Sequence, residues 1–167
     1  VATVVESLAP LGAEYCGVLE RGLTAARWSD RYPNRGKQSG AFSCGSFDGA
    51  PYILMNYQPT VLDHVFTLAH EAGHSMHSYY SAKSQPFVYY DYVIFVAEVA
   101  STFNEQLLSR RLMDQARSDA ERAHASARLG LLFGIGAYAI WGFFPLYFPL
   151  LTPATPVDVP AAKPTSA

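Results

Sequence analysis

The segment His70-Glu71-Ala72-Gly73-His74 restricts its neighbourhood to one kind of element. Four residues advance an α-helix by slightly more than one turn, so both imidazoles leave the same face and can converge on one metal ion. Glu71, beside that face, can take a proton from a water that the metal activates. The flanking sequence agrees with a helix: residues 61–80 contain no proline, and Val61, Val65, Phe66, Leu68, Ala69 and Ala72 give it an apolar side. A pattern this short also arises on ordinary surface or core helices, so its meaning depends on what accompanies it.

A catalytic zinc normally takes three protein ligands and leaves a fourth position for water or substrate. His77 returns to the azimuth of His70, yet at about 1.5 Å per residue the two lie roughly 10.5 Å apart along the axis, which suits a surface or substrate-contact residue better than a ligand. The next helix, expected over residues 91–108, offers carboxylates instead. Val96, Val99, Ala100, Phe103 and Leu107 are its predicted apolar stripe. Glu98 and Glu105 stand two turns apart on nearly one azimuth, with no Lys or Arg over residues 92–108. A solvated polar face usually mixes both signs. A buried acidic face needs a compensating cation, and that is the reading taken here.

Four runs, 27–43, 51–57, 70–81 and 95–105, together resemble oligoendopeptidase F, of the thimet oligopeptidase class of zinc metallopeptidases. The resemblance covers about two-thirds of the chain and fades after Leu108 through residues 111–122. It implies one zinc per chain on His70, His74 and Glu98, with Glu71 as base and acid in peptide-bond hydrolysis. Glu105 is then a carboxylate that orients a ligand histidine. The substrates implied are oligopeptides.

Residues 39–47 and 52–57 read as two short strands joined through Asp48-Gly49-Ala50-Pro51, a hairpin signal. An edge strand carrying Gly40, Ala41 and Phe42 could pair with an extended peptide, and the resemblance points to substrate binding there and at His77. Gly36, Gly40 and Gly45 also read as plain turn or bulge residues. The expected fold is mainly α with a small β-hairpin: a zincin-like helix bearing the motif, a glutamate helix, and a place within a larger helical peptidase.

The relatives are several times longer, and a later segment supplies His and Tyr groups that bind substrate and steady the oxyanion. Residues 1–122 are therefore expected to be a partial catalytic domain, and the helical 5–24 stretch running straight into the motif region suits a fragment. Residues 129–151 hold 23 residues without a charge, long enough to span a bilayer, and Arg110, Arg111, Arg117, Arg122 and Arg128 precede them. Within that span, residues 136–148 resemble the first transmembrane helix of EamA-type transporters, so a membrane contact through 129–151 is a further expectation. The Pro/Ala/Thr-rich 152–167 reads as a disordered tail. The alternative to an active oligopeptidase is a catalytically inactive zinc-binding fragment fused to a membrane segment.

A net charge of −2 and no basic patch argue against nucleic acid as partner. Cys16 and Cys44 are too few and too unpatterned for a disulfide framework, so a reducing cytoplasm is the expected location.

Overall fold

The computed structural model describes residues 1–123, 125–127 and 130. Val1–Leu129 forms one compact unit. Its element order is helix α1 (Ala2–Ser7), helix α2 (Ala13–Leu23), strands β1 (Ser29–Asp30), β2 (Phe42–Cys44) and β3 (Tyr52–Leu54), then helices α3 (Leu62–Ser84) and α4 (Ile94–Gln115). The mainly helical expectation holds, with one more strand than the hairpin required.

The single helix expected over residues 5–24 is two helices. Pro10 sits in a short 3-10 turn, Ala9–Leu11, and Gly12 follows at φ +96°, a left-handed conformation that only glycine adopts without strain. Val18, Leu19 and Leu23 on α2 are buried, joined by Trp28 from the segment that follows. Gly22 permits that junction: a Cβ there would lie 2.3 Å from the Trp28 ring. Trp28 also packs on Tyr79 of α3, with ring centroids 5.6 Å apart.

The sheet order is β1-β3-β2. β2 and β3 form the expected antiparallel hairpin, with Ser43 opposite Ile53, but with strands shorter than the sequence runs. β1 adds in parallel to β3, which two residues of sequence could not announce. Central β3 carries Ile53 into the core, fully buried, and Met55 follows it in. Phe66, Leu68, Ala69, Ala72 and Met76 of α3 complete this core. Asp63 in the first turn and Lys83 in the last complement the helix dipole of α3, and Gln85, held extended before Pro86, ends it.

α4 departs from its expected burial. Val99 and Phe103, assigned to the apolar stripe, are 62% and 51% exposed, while Ser101, Asn104, Glu105, Leu108 and Ser109 are buried. At Ser101 the inner face is small and polar because α4 there lies too close to α3 for a large side chain. A Cβ on Gly73 would meet Ser101 Cα at 2.5 Å and the Ala100 carbonyl oxygen at 2.7 Å. Polar groups on such a face need partners, and Asn104 has them: it donates to the Ala69 carbonyl oxygen at 3.1 Å and lies 3.5 Å from the Tyr15 hydroxyl. Burial pushes the Tyr15 phenol up to about 12.

Among the described residues no helix is long and apolar enough to cross a membrane. The 129–151 span and the 152–167 tail lie outside the described residues, apart from Gly130.

Candidate metal centre

The site forms where the middle of α3 crosses the first half of α4. His70 Nε2 and His74 Nε2 are 3.1 Å apart. Glu98 Oε2 completes a triangle, 3.3 Å from His70 Nε2 and 3.6 Å from His74 Nε2. Tetrahedral coordination at about 2.0–2.1 Å places neighbouring ligand atoms about 3.4 Å apart, so the donor set fits one zinc-sized cation. The histidine side chains are 27% and 17% exposed and Glu98 is 53% exposed, which leaves the triangle open on one side.

His70 Nδ1 lies 2.6 Å from Glu105 Oε1, which fixes the tautomer that turns the His70 Nε2 lone pair into the triangle. A main-chain hydrogen bond with Ala97 favours the charged form of His74. Burial disfavours a charged His70, but the Glu105 hydrogen bond and the surrounding carboxylates outweigh it and hold the pKa above its ordinary value. Burial, then the neighbouring His70, lowers that of His74. Ser101 donates to Glu98 Oε2 at 2.8 Å and so restrains an otherwise solvent-facing ligand candidate.

Glu71 is 7% exposed. Burial raises its pKa; His70 works against that, Glu98 and Glu105 reinforce it, and the Ser43 main-chain N–H donates to its carboxylate. β2 is thus tied to the motif helix, and a 2.7 Å contact between the Ser43 and Ser75 hydroxyls ties it again one turn further on.

The acidic face expected on α4 is half buried: Glu105 is inside and Glu98 is not, because the close crossing at Ser101 falls between them. Of the residues expected at the substrate, Gly40 has φ +101°, Ala41 is half-buried and Phe42 is 53% exposed beside the site. His77 is elsewhere. Its ring is stacked on Tyr92, centroids 3.8 Å apart and planes 7° from parallel. The Tyr92 hydroxyl lies 2.8 Å from Ser78 Oγ and 3.5 Å from the His74 carbonyl oxygen. Sequence reasoning missed Tyr92, Ala97 and Ser43, which act through loop and main-chain positions. Ser101 had a legible signal, three residues from Glu98 on the same helix face.

The profile of peptidase family M3 matches residues 6–132, running past the point where the likeness seen by residues fades. The oligoendopeptidase F homolog of Borreliella burgdorferi is 56% identical over 110 residues, which cover 66% of this chain and 19% of that protein. Oligopeptidase PepF of Bacillus subtilis is 50% identical over 121 residues, 72% of this chain and 18% of that protein. A crystal structure of a peptidase from Chlamydophila abortus superposes with TM-score 0.73 at 45% identity, covering 79% of this chain and 22% of that one. The chain therefore spans about a fifth of the length of the curated relatives it matches. The transporter likeness of residues 136–148 finds no support in these matches, and those residues lie outside the described ones. With its motif helix, its glutamate helix and three-quarters of its length matched, this chain belongs to peptidase family M3.

Proposed function

We propose that this chain is the catalytic-core portion of a zinc-dependent metalloendopeptidase that hydrolyses oligopeptides, with His70, His74 and Glu98 as the metal ligands. The observation that carries the reading is the triangle of two Nε2 atoms and one carboxylate oxygen with edges of 3.1, 3.3 and 3.6 Å. Zinc bound there supplies Lewis acidity toward the attacking water and the scissile carbonyl.

The chain's own residues do the rest. Glu71, buried and steadied by the Ser43 N–H, takes the proton of the attacking water and returns it to the leaving amine. Its raised pKa suits a group that must both accept and release that proton. Glu105 holds the His70 ring in orientation. An extended peptide lies along β2 at Gly40, Ala41 and Phe42, bound chiefly through main chain, so many sequences are accepted. His77, its ring stacked on Tyr92, is the further residue proposed to contact substrate. The unpaired Cys16 and Cys44 favour a reducing compartment, the cytoplasm.

A second reading has its own support. Because the chain spans about a fifth of its relatives' length, zinc binding without efficient turnover is what the isolated chain would retain. Metal analysis of the purified chain after dialysis against zinc tests the shared premise. About one zinc per chain is expected; none would overturn the ligand assignment.

A further inference from the structure

Beside the metal centre, toward the N-terminal end of α3, a cavity of about 200 Å³ is lined by Gly40, Ala41, Met55, Asn56, His64 and Thr67. We propose that it receives the substrate side chain that follows the scissile bond, and that it selects a neutral amide side chain, that of glutamine. This rests on the metallopeptidase reading above and adds a specificity to it.

Position comes first. Thr67 lines both this cavity and the hollow beside His70 and Glu105. It precedes Glu71 by four residues, about 6 Å along the helix axis, the distance from a scissile carbon to the end of a neighbouring side chain. The opposite wall, Gly40 and Ala41, leads directly into β2, whose Ser43 N–H reaches Glu71.

Direction follows from β2. The strand passes from Ala41 near Thr67, over Ser75 at Ser43, to Gly45, where a Cβ would lie 2.4 Å from that of Ser78. A peptide added antiparallel, the more stable pairing, runs the other way and lays its C-terminal portion over the cavity.

The lining then states the chemistry. None of the six residues is an acid, a lysine or an arginine. His64 Nδ1 accepts the Gln58 main-chain N–H at 2.9 Å, so the neutral ring carries its proton on Nε2 and offers one donor. Asn56 uses its amide nitrogen on the carbonyl oxygens of Gln38, at 2.8 Å, and Gly40, at 3.4 Å, which leaves Oδ1 as an acceptor. Thr67 donates its hydroxyl proton to the Asp63 carbonyl oxygen at 2.9 Å and keeps acceptor capacity. One donor and two acceptors above the buried Met55 match a primary amide on a short apolar stem.

Calorimetric titration of the zinc-loaded full chain tests this without turnover. The probes are phosphinic pseudopeptides identical except for Gln or Met after the phosphinic group. The Gln probe is expected to bind about tenfold more tightly, the worth of one net hydrogen bond at a half-open site. In His64→Phe the ratio of the two affinities should fall toward one, and in Thr67→Val it should also fall should the first variant not fold. Equal affinities in the parent chain, a preference that instead follows Gln placed before the phosphinic group, or a tenfold ratio persisting in folded variants would overturn the pocket assignment. A zinc-loaded chain that binds neither probe would overturn the peptidase reading itself and the pocket with it.

Discussion

Gly73 and Ser101 meet where α3 crosses α4, so closely that a Cβ on Gly73 would lie 2.5 Å from Ser101 Cα. The contact is with backbone, which cannot swing aside as a side chain can. Gly73→Ala is expected to force the helices apart, lowering stability by about 1–3 kcal/mol as overpacking does. Because Glu98 and Glu105 flank Ser101 on α4, zinc affinity should fall in the same variant. Chemical denaturation and a competitive zinc titration read the two effects separately, and an undiminished zinc affinity would show that the donor triangle does not depend on this crossing.

Glu98 and Glu105 are expected to differ in kind. Removing Glu105 leaves His70 able to ligate but unoriented, so Glu105→Ala should weaken zinc about 10–100-fold. Glu98→Ala removes a donor from the triangle and should cost more than that range, whereas His77→Ala should cost less than either. Equal losses in the Glu98 and His77 variants would remove Glu98 from the ligand set.

Glu71 is expected to separate binding from chemistry. Glu71→Gln keeps the size and the Ser43 hydrogen bond while abolishing the base, so zinc stoichiometry should stay near one. Cleavage of a quenched fluorescent oligopeptide, slow as it is expected to be in this short chain, should drop roughly 10²–10⁴-fold. Turnover that survives the substitution would assign the proton transfer elsewhere.

Tyr92 links the motif helix to the loop before α4. Tyr92→Phe keeps the stack on His77 and loses the contact to Ser78, an expected cost of about 1 kcal/mol. Tyr92→Ala loses the stack as well, a further 0.5–1.5 kcal/mol, approximately. Indistinguishable urea midpoints for the two variants would mean that the stack contributes nothing.

Alkaline pH should weaken the fold through Tyr15. Burial raises its pKa from 10.0 to about 12, so the folded chain holds the phenol proton more tightly than the unfolded chain does. The associated stability is fully present below pH 10.0 and is lost as pH rises toward about 12, about 2–3 kcal/mol in all. Denaturation of the parent and of Tyr15→Phe across that window provides the comparison, the variant being expected to lack this part of the decline.

What was legible in the sequence follows physical locality. His70, His74 and Glu71 lie within one helical turn and a quarter, so helix geometry alone assembled them. The hairpin between Phe42 and Leu54 was readable because its turn residues sit between β-prone runs. Glu98 needed the resemblance to enter the ligand set, since nothing local to α4 says which carboxylate faces α3. The apolar stripe on α4 misled for a related reason: hydrophobic periodicity marks the buried side when a helix packs through large residues. α4 packs through Ser101, Asn104 and Ser109, leaving Val99 and Phe103 outward. Parallel β1 and the Tyr92 stack depend on contacts across the chain that no spacing rule encodes.

Ser43 touches α3 twice, through its N–H to Glu71 and through its hydroxyl to Ser75. The ledge on which a peptide is proposed to lie and the helix that carries two of the proposed metal donors are therefore indexed to each other by one residue. That makes β2 and α3 a self-contained gauge. Its calibration is written into about thirty consecutive residues, so the spacing between a bound main chain and the donor atoms does not have to be set by any more distant part of the fold.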